Sequence, residues 1–253
     1  MRLSPSAWID AAFAPAPDAK RVAGLAERPY AHRGLHGVGR VENSRAAFEE
    51  AIAAGHGIEL DVRASADGEA FVFHDEALDR LTGLPGTLAA RTAAELRSIG
   101  LTGTRETLAS LTDTLRFISS RVPLLIELKV SGRRVGGLCI AVFRALEGYR
   151  GPVGVMSFNP EVGHWFALHA PRVARGLVVT EAGKNSPKGC AERHLSLWRA
   201  RPDFLAYDIR DLPSRFAAAQ RRRGLPVLTW TVRSDEERAR AAACADQIIY
   251  EVP

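Results

Sequence analysis

Short apolar runs alternate with helical patterns along the chain from about residue 28 onward. The apolar runs have the length of strands and lie at 29–32, 58–64, 70–74, 123–130, 153–158, 175–179, 203–208, 226–232 and 247–251. Helical patterns fill most of the gaps, at 44–54, 136–146, 161–170, 213–223 and 235–243. This alternation predicts a parallel sheet with helices covering its faces.

One pair of strands cannot belong to an all-parallel sheet. Asp67-Gly68 is a two-residue hairpin signal, so 58–64 and 70–74 are expected to run antiparallel. Counting back from this loop places Asp61 opposite His74, on the same face. Without 70–74, eight parallel strands remain, the number that closes a (β/α)8 barrel. The predicted fold is therefore α/β, a single (β/α)8 TIM barrel.

Two helices have recognisable start signals. Asn43 precedes the pattern at 44–54 and is expected to cap it. Thr92-Ala93-Ala94-Glu95 has the form of a capping box.

We expect one domain over residues 1–253, with a short N-terminal extension at 1–27. The segment from about 75 to 122 contains no convincing barrel strand and is too long for a simple strand–helix connection. It is predicted to be an insertion with its own short helices. Because it follows His74 directly, it is placed to cover a site and to select the substrate.

Composition and charge narrow the function classes. The apolar and charged fractions, 46% and 25%, are those of an ordinary globular protein. A net charge of +5 is compatible with nucleic acid, anionic lipid or a phosphorylated small molecule as partner. The arginines are dispersed and aromatic residues do not interleave with them, so we expect no binding of nucleic acid.

Cysteine spacing and hydropathy indicate the compartment. The cysteines are scattered without zinc or disulfide spacing. Charged residues and prolines interrupt any signal-peptide core near the N-terminus. No apolar run approaches the roughly 18–20 residues of a membrane span. We expect a cytoplasmic protein without stable membrane insertion, and its oligomeric state stays open.

Imidazole, carboxylate and cationic side chains recur at fixed spacings on predicted strand ends. They occur in His32-Arg33-Gly34, Glu42-Asn43, Glu59-Leu60-Asp61, His74-Asp75 and, on a later apolar run, Glu127-Leu128-Lys129. A carboxylate cluster can bind a hard divalent cation, and the cation and an arginine neutralise phosphate oxygens. Two histidines can then move protons on opposite sides of the phosphorus. The inventory indicates metal-assisted chemistry on a phosphate ester.

Each of these residues also has a structural interpretation. A Glu-x-Asp pair is usually a solvated strand face, but the strand carrying Glu59 and Asp61 is apolar at its other positions and enters a predicted barrel interior. Ionised carboxylates there repel unless a cation compensates. Lone histidines are usually structural, whereas His32 and His74 lie at successive strand ends beside charged residues.

Each of the remaining candidates has two possible roles. Arg33 and Lys129 suit salt bridges with the carboxylates as well as contact with phosphate. Ser157, Phe158 and Trp230 lie at later strand ends, where barrel enzymes place substrate contacts, although packing is the simpler role for each taken alone.

Taken together, these motifs resemble a known family. The stretch from Ala31-His32-Arg33-Gly34 through Glu42-Asn43, Gly57–Val62 and Asp67-Gly68 to Phe73-His74-Asp75 is similar to the N-terminal signature of the glycerophosphodiester phosphodiesterases. The runs 125–129, 156–159 and 228–232 look like later landmarks of that family, and the resemblance covers roughly residues 28–251.

The resemblance implies a (β/α)8 barrel that hydrolyses glycerophosphodiesters, small-molecule substrates, to glycerol 3-phosphate and an alcohol. It implies the following roles: metal ligands Glu59, Asp61 and Glu127; acid–base pair His32 and His74; phosphate-binding residues Arg33 and Lys129; substrate-binding residue Trp230. Glu42 also belongs to the signature, and its expected role is to support the metal or to bind the glycerol end of the substrate. Ser157 and Phe158 are further candidate substrate contacts because of their position at a strand end. The chemistry of two histidines and a neighbouring glycerol hydroxyl predicts a cyclic phosphate intermediate. The implied cofactor is one divalent metal ion, Ca²⁺ or Mg²⁺.

Two departures from the family pattern and two alternatives accompany this interpretation. Val41 replaces the usual proline before Glu-Asn, and 248–251 reads Ile-Ile-Tyr-Glu where a threonine–aspartate pair is common. A lysophospholipase D-type activity would use the same site with an apolar leaving group. A non-catalytic metal-binding barrel would be expected to lack a ligand or a histidine, whereas every matching position is filled here.

Overall fold

The computed structural model describes residues 5–184 and 186–252. Contacts divide the chain into two compact units. The first unit comprises Tyr30–Val153 with Val252. The second unit comprises the residues up to Pro29 together with Gly154–Glu251. Within the described residues, no helix has the length and apolar character needed to cross a membrane.

The first unit is built around a long buried strand. Its strands are β1 (Tyr30–His32), β2 (Gly57–Ala64), β3 (Ala70–Val72) and β4 (Leu124–Leu128). Strand β2 pairs in parallel with β1 and β4, and antiparallel with β3. Helices α1 (Pro5–Phe13) and α2 (Ala19–Val22) come first in the chain and belong to the other unit. The helices of this unit are α3 (Arg45–Ala53), α4 (Asp79–Thr82), α5 (Ala93–Arg97), α6 (Leu111–Ile118) and α7 (Gly136–Ala145).

The second unit continues the strand–helix alternation. Its strands are β5 (Val153–Ser157), β6 (Ala174–Val179), β7 (Phe204–Asp208), β8 (Val227–Val232) and β9 (Gln247–Tyr250), and β5 to β9 pair in parallel in sequence order. The helices are α1 (Pro5–Phe13), α2 (Ala19–Val22), α8 (Pro160–His169), α9 (Pro187–Ala200), α10 (Arg215–Arg222) and α11 (Asp235–Cys244). Among the described residues β3 is the one antiparallel strand, and the predicted (β/α)8-barrel class is confirmed.

The hairpin between β2 and β3 differs from the predicted register by one residue. Ala64 pairs with Ala70, and the Ser65 amide donates to the Glu69 carbonyl at 2.9 Å, which leaves a three-residue loop. Gly68 in this loop has a φ of +86°, which suits a glycine. The prediction that Asp61 lies opposite His74 is wrong, because the carbonyl of Asp61 accepts from the amide of Phe73.

Helix α3 begins with a different cap from the one predicted. The hydroxyl of Ser44 accepts from the amide of Ala47 at 3.2 Å, so Ser44, and not Asn43, is the N-cap. The side chain of Asn43 instead contacts Asp61. The capping box at Thr92 and Glu95 is confirmed.

The segment 75–122 contains short helices and no named strand, as expected. These are α4, α5 and α6, with a 3₁₀ turn at Leu88–Ala90. Its apolar side chains form a cluster of buried residues with Phe71 of β3 and with Phe73, which directly follows β3. The members of the cluster are Phe71, Phe73, Leu78, Leu88, Ala93, Leu96, Ile99, Leu101 and Leu108. The segment therefore has a core of its own, which stabilises loops that the barrel sheet does not hold.

Helix α9 was not among the predicted helices. Few of its side chains are buried, so its apolar periodicity is weak. Its start signals are nevertheless present, since Ser186 caps the amide of Gly189 and Pro187 occupies the first turn.

The N-terminal helix is attached to the second unit by one buried carboxylate. Asp10 accepts hydrogen bonds from Trp198 Nε1 at 2.8 Å and Gln220 Nε2 at 2.7 Å, and lies 2.8 Å from His194 Nδ1. These partners lie on α9 and α10. Asp10 is 1% exposed, so the loss of its carboxylate leaves buried polar groups without a partner.

We therefore expect Asp10→Ala to lower the free energy of unfolding by about 1–3 kcal/mol in urea titrations. Trp8→Ala is the matched control on the same helix, since Trp8 is 67% exposed. It should change stability by no more than about 0.5 kcal/mol. Equal effects of the two substitutions would show that the carboxylate does not hold α1 in place.

Candidate active site

Three carboxylates come together where β2 and β4 pair. Side chains alternate along β2, so Ile58, Leu60 and Val62 supply one fully buried apolar face. Glu59 and Asp61 share the opposite face.

Strand register adds a third carboxylate to this face. Asp61 is the register partner of Glu127 on β4. Glu59, Asp61 and Glu127, here called the acidic cluster, each offer an oxygen within 4.8 Å of the others, and all three are buried.

Two cations lie against the acidic cluster. Lys129 Nζ donates to Glu127 Oε1 at 2.7 Å and lies 3.1 Å from Asp61 Oδ1. Arg33 Nε lies 3.2 Å from Asp61 Oδ2, and its Nη1 donates to Glu42 Oε1 at 2.7 Å. The structure thus brings Arg33, Glu42 and Lys129 to the same site as the predicted metal ligands.

The turn after β1 explains the His-Arg-Gly sequence. Arg33 has a φ of +57°, and its backbone amide donates to Glu59 Oε2 at 3.1 Å. Gly34 follows with a φ of +80°, and a Cβ there would lie 2.9 Å from the backbone of Ala47 on α3. Glycine is therefore required, and the tight turn directs the Arg33 amide at the acidic cluster.

Burial and the neighbouring charges shift the pKa values of the three carboxylates in different directions. Burial, together with the charges of Asp61 and Glu127, raises the pKa of Glu59 well above its usual value. Burial also raises the pKa of Glu127 to about 7, against the charge of Lys129. For Asp61 burial acts in the same direction, but Lys129 and Arg33 outweigh it and lower the pKa.

The donor set of the acidic cluster fits a hard divalent cation. It consists of carboxylate oxygens, which suit Mg²⁺, Ca²⁺ or Mn²⁺. Glu59 Oε1 and Asp61 Oδ1 are buried without a hydrogen-bond donor, although Lys129 Nζ lies near the latter. Such oxygens are costly to bury, and a cation would compensate both.

The two histidines lie at the edge of the cluster. His32, at the end of β1, has its Nε2 3.9 Å from Glu59 Oε2. His74 Nδ1 is 2.7 Å from Asp75 Oδ1, and the His74 carbonyl accepts from Arg63 Nε. Burial and the charges of Lys129 and Arg33 lower the pKa of His74 below its usual value, although Asp61 and Asp75 oppose them.

Two residues contact the site although the sequence analysis gave neither of them a role there. Asn43 Nδ2 donates to Asp61 Oδ2 at 3.0 Å, which fixes the orientation of that carboxylate. The place of Asn43 beside Glu42 in the Glu42-Asn43 motif is a sequence signal that could have indicated a role at the site. Arg80 contacts both Glu42 and Asp75, and no spacing in the sequence indicated this.

The substrate-contact candidates at later strand ends lie in the second unit. Phe158 is 47% exposed, and its ring lies 5.5 Å from that of Trp230 at an interplanar angle of 84°. Trp230 Nε1 donates to the carbonyl of Ala206 at 2.9 Å. Ser157 is buried, and its hydroxyl accepts from the amide of Asn159 at 3.1 Å.

Cation binding to the acidic cluster should weaken on acidification. Carboxylates bind a cation in their ionised form, and the raised pKa of Glu127, about 7, means that it holds a proton below that pH. The apparent affinity for Ca²⁺ or Mg²⁺ is expected to fall by up to about tenfold for each pH unit below 7 for one such proton.

Isothermal titration calorimetry between pH 5.5 and 8, in buffers of different ionisation enthalpy, measures both the affinity and the protons released. A pH-independent affinity without proton release would contradict cation binding by this cluster.

A (β/α)8-barrel fold with a buried acidic cluster, flanking cations and two histidines defines a barrel enzyme whose site suits an anionic substrate. The family model described as "Glycerophosphoryl diester phosphodiesterase family" matches residues 32–251. The chain belongs to that family.

Two curated relatives show how far the sequence similarity extends. The glycerophosphodiester phosphodiesterase of Bacillus altitudinis is 45% identical over 69 residues, which are 27% of this chain and 28% of that protein. The Bacillus subtilis protein YqiK is 32% identical over 162 residues, which are 60% of this chain and 66% of YqiK. The chain spans about two thirds or less of the length of the curated relatives that it matches.

Solved structures confirm the fold. The glycerophosphodiester phosphodiesterase of Thermotoga maritima is 26% identical with a TM-score of 0.71, over 87% of this chain and 92% of that one. A phosphodiesterase of Oleispira antarctica, solved with the product sn-glycerol-3-phosphate, is 23% identical with a TM-score of 0.78, over 90% and 94% of the two chains.

Proposed function

We propose that the protein hydrolyses glycerophosphodiesters to glycerol 3-phosphate and an alcohol in a reaction that depends on one divalent cation. The observation that supports this best is the buried acidic cluster with Arg33 and Lys129 against it. The product bound to the Oleispira antarctica phosphodiesterase, which shares the fold, is consistent with the same substrate class.

The cationic groups of the site favour an anionic substrate. Arg33 and Lys129 lie against the acidic cluster. A divalent cation held by ionised Glu59, Asp61 and Glu127 would add positive charge at the same place, which complements the negative charge of a phosphodiester. When bound, the cation would supply charge that neutralises phosphate oxygens. Ca²⁺ and Mg²⁺ both suit these oxygen ligands.

In the first step, the free hydroxyl of the glycerol moiety next to the ester attacks phosphorus. One histidine takes the hydroxyl proton as the new P–O bond forms, and the other protonates the leaving alcohol as its P–O bond breaks. A neutral His74 that donates Nδ1–H to Asp75 has its Nε2 lone pair available, which suits it to the role of base.

In the second step, water opens the resulting cyclic phosphate. The histidines exchange roles, so that one takes a proton from water and the other returns a proton to the ring oxygen that leaves phosphorus. Glycerol 3-phosphate is the product, and both histidines regain their initial protonation. Arg33 and Lys129 stabilise the charge on the phosphate oxygens throughout.

The insertion favours a small polar leaving group over a lysophospholipid. Of its leucines, Leu78 and Leu88 are fully buried in the insertion's own core and Leu81 packs against that core. Leu84 is the one of these four that is exposed. Leu78, Leu81 and Leu88 are therefore not free to line a pocket for an acyl chain. Glu42, Ser157, Phe158 and Trp230 remain the proposed substrate contacts.

The test is an assay of chelator-stripped protein on glycerophosphocholine, glycerophosphoethanolamine and a lysophospholipid. Ca²⁺, Mg²⁺ and Mn²⁺ are added back separately, and release of the head-group alcohol is measured for all three substrates, together with glycerol 3-phosphate for the two glycerophosphodiesters. Metal-dependent turnover of the two glycerophosphodiesters is expected. Faster turnover of the lysophospholipid would favour the phospholipase D-type activity, and no turnover with any pairing would overturn the proposed function.

A further inference from the structure

Arg80, in helix α4 of the insertion, joins two parts of the candidate active site. Its Nε donates to Asp75 Oδ2 at 2.5 Å. Its Nη1 and Nη2 donate to Glu42 Oε2 and Oε1, both at 2.8 Å. All three guanidinium nitrogens are thus engaged, in the bidentate geometry that makes arginine–carboxylate contacts specific.

Each carboxylate that Arg80 contacts orients another residue of the site. Asp75 presents its other oxygen, Oδ1, to His74 Nδ1 at 2.7 Å. Glu42 Oε1 also accepts from Arg33 Nη1 at 2.7 Å. One side chain of the insertion is therefore linked through Asp75 to His74 and through Glu42 to Arg33.

We propose that Arg80 is a positioning residue, which holds Asp75 and Glu42 so that His74 and Arg33 face the substrate in their working orientations. The proposal rests on the proposed function, because it assigns to Arg80 an effect on the residues that act there. Arg80 acts through the two carboxylates and does not itself contact the phosphate.

The charges of these groups agree with this role. Burial would raise the pKa of Glu42, but the hydrogen bond from Arg80 and the charge of Arg33 outweigh it and keep the carboxyl ionised. The pKa of Asp75 is lowered to about 2, because Arg80 and His74 outweigh partial burial. Both carboxylates are therefore acceptors at neutral pH, and Asp75 can hold His74 with its proton on Nδ1.

Positioning differs from ordinary surface pairing in its measurable effects. The side chain of Arg80 is 47% exposed, and exposed ion pairs contribute little to stability. Arg97, in α5 of the same insertion, is a matched control. It is also 47% exposed and donates to Glu69 at 2.5 Å, but neither residue is part of the candidate site.

The first experiment compares Arg80→Gln and Arg97→Gln. Both variants should melt within a few degrees of the unmodified protein. The kcat on glycerophosphocholine with the preferred cation should fall by about 10–100-fold for Arg80→Gln alone, since small misplacements of acting groups have effects of this size. Added guanidinium should partly restore the kcat of Arg80→Ala. An unchanged kcat in Arg80→Gln would overturn the proposal.

A double-mutant cycle separates positioning from direct contact. If Arg80 acts through Asp75, then Arg80→Gln combined with Asp75→Asn should lower kcat little more than the worse single variant does. A parallel cycle combines Arg80→Gln with Glu42→Gln. Fully multiplicative losses in both cycles would show that Arg80 acts independently of both carboxylates, which contradicts the proposed role.

Nitrogen-15 NMR of histidine tests the same role without turnover. The His74 signals, assigned by their absence in His74→Gln, should show a proton fixed on Nδ1 in the unmodified protein and a mixture of tautomers in Arg80→Gln. An unchanged tautomer would overturn the proposal. If the unmodified protein hydrolyses no diester, the proposed function fails, while the tautomer still decides whether Arg80 positions His74.

Discussion

Substitution of His74 by alanine is expected to lower kcat for glycerophosphodiester hydrolysis by about 10²–10⁴-fold, the usual contribution of a general acid–base residue. His74 is linked to Asp75 through Nδ1, so removal of its ring takes away the Nε2 lone pair that we assign to proton transfer. His74 is not part of the acidic cluster, and affinity for the cation should therefore change little. Steady-state kinetics and calorimetric cation titration measure the two effects separately.

The matched control is His164→Ala, because His164 lies on α8 in the other unit and has no role in the proposed reaction. It should leave kcat unchanged. Added imidazole is expected to restore part of the activity of His74→Ala. Near-normal turnover by His74→Ala would remove this histidine from the acid–base pair, and loss of cation binding would indicate a structural role instead.

Substitution of Glu127 by glutamine is expected to lower the affinity for the cation without lowering the stability of the cation-free protein. Three buried carboxylates repel one another when no cation is bound, and burial raises the pKa of Glu127 to about 7. Removal of one charge should therefore leave the melting temperature of the cation-free protein unchanged or higher. The affinity for Ca²⁺ or Mg²⁺ should fall by at least about 100-fold, since even the loss of outer-shell partners costs about 10–100-fold.

Thermal melting with increasing cation concentration measures this effect, because a cation bound only by the folded state raises the melting temperature. The rise should disappear in Glu127→Gln and persist in Glu69→Gln, the control, whose exposed carboxylate pairs with Arg97. If Glu127→Gln keeps the full cation-induced rise, Glu127 is not a ligand. If the substitution unfolds the cation-free protein, the hydrogen bond between Lys129 and Glu127 is required for stability.

The fold class and the composition of the acidic cluster could be predicted because both depend on short-range periodicity. Glu59 and Asp61 are two residues apart on a strand, and alternation places them on one face whatever the rest of the fold does. The strand–helix alternation similarly limits the topology to a parallel sheet. Glu127 could be added because parallel strands of a barrel present their carboxyl ends at the same edge.

The errors concern loops and caps. A loop of three residues instead of two moved every pair in the β2–β3 hairpin by one position, and the two loops are hard to distinguish from an Asp-Gly signal alone. Asn43 and Ser44 are both good helix caps, and only the contact with Asp61 shows which of them is free to cap α3.

The sequence by itself determined that the chain alternates strands and helices and that paired carboxylates face one side of a buried strand, because both follow from local periodicity. The tertiary structure alone decided which side chains hold these groups in place. Arg80 reaches Glu42 across 38 residues of sequence, and Asn43 reaches Asp61 across 18. Such contacts depend on the path of the loops in space, which no local spacing encodes, because it results from the packing of the insertion's own apolar core.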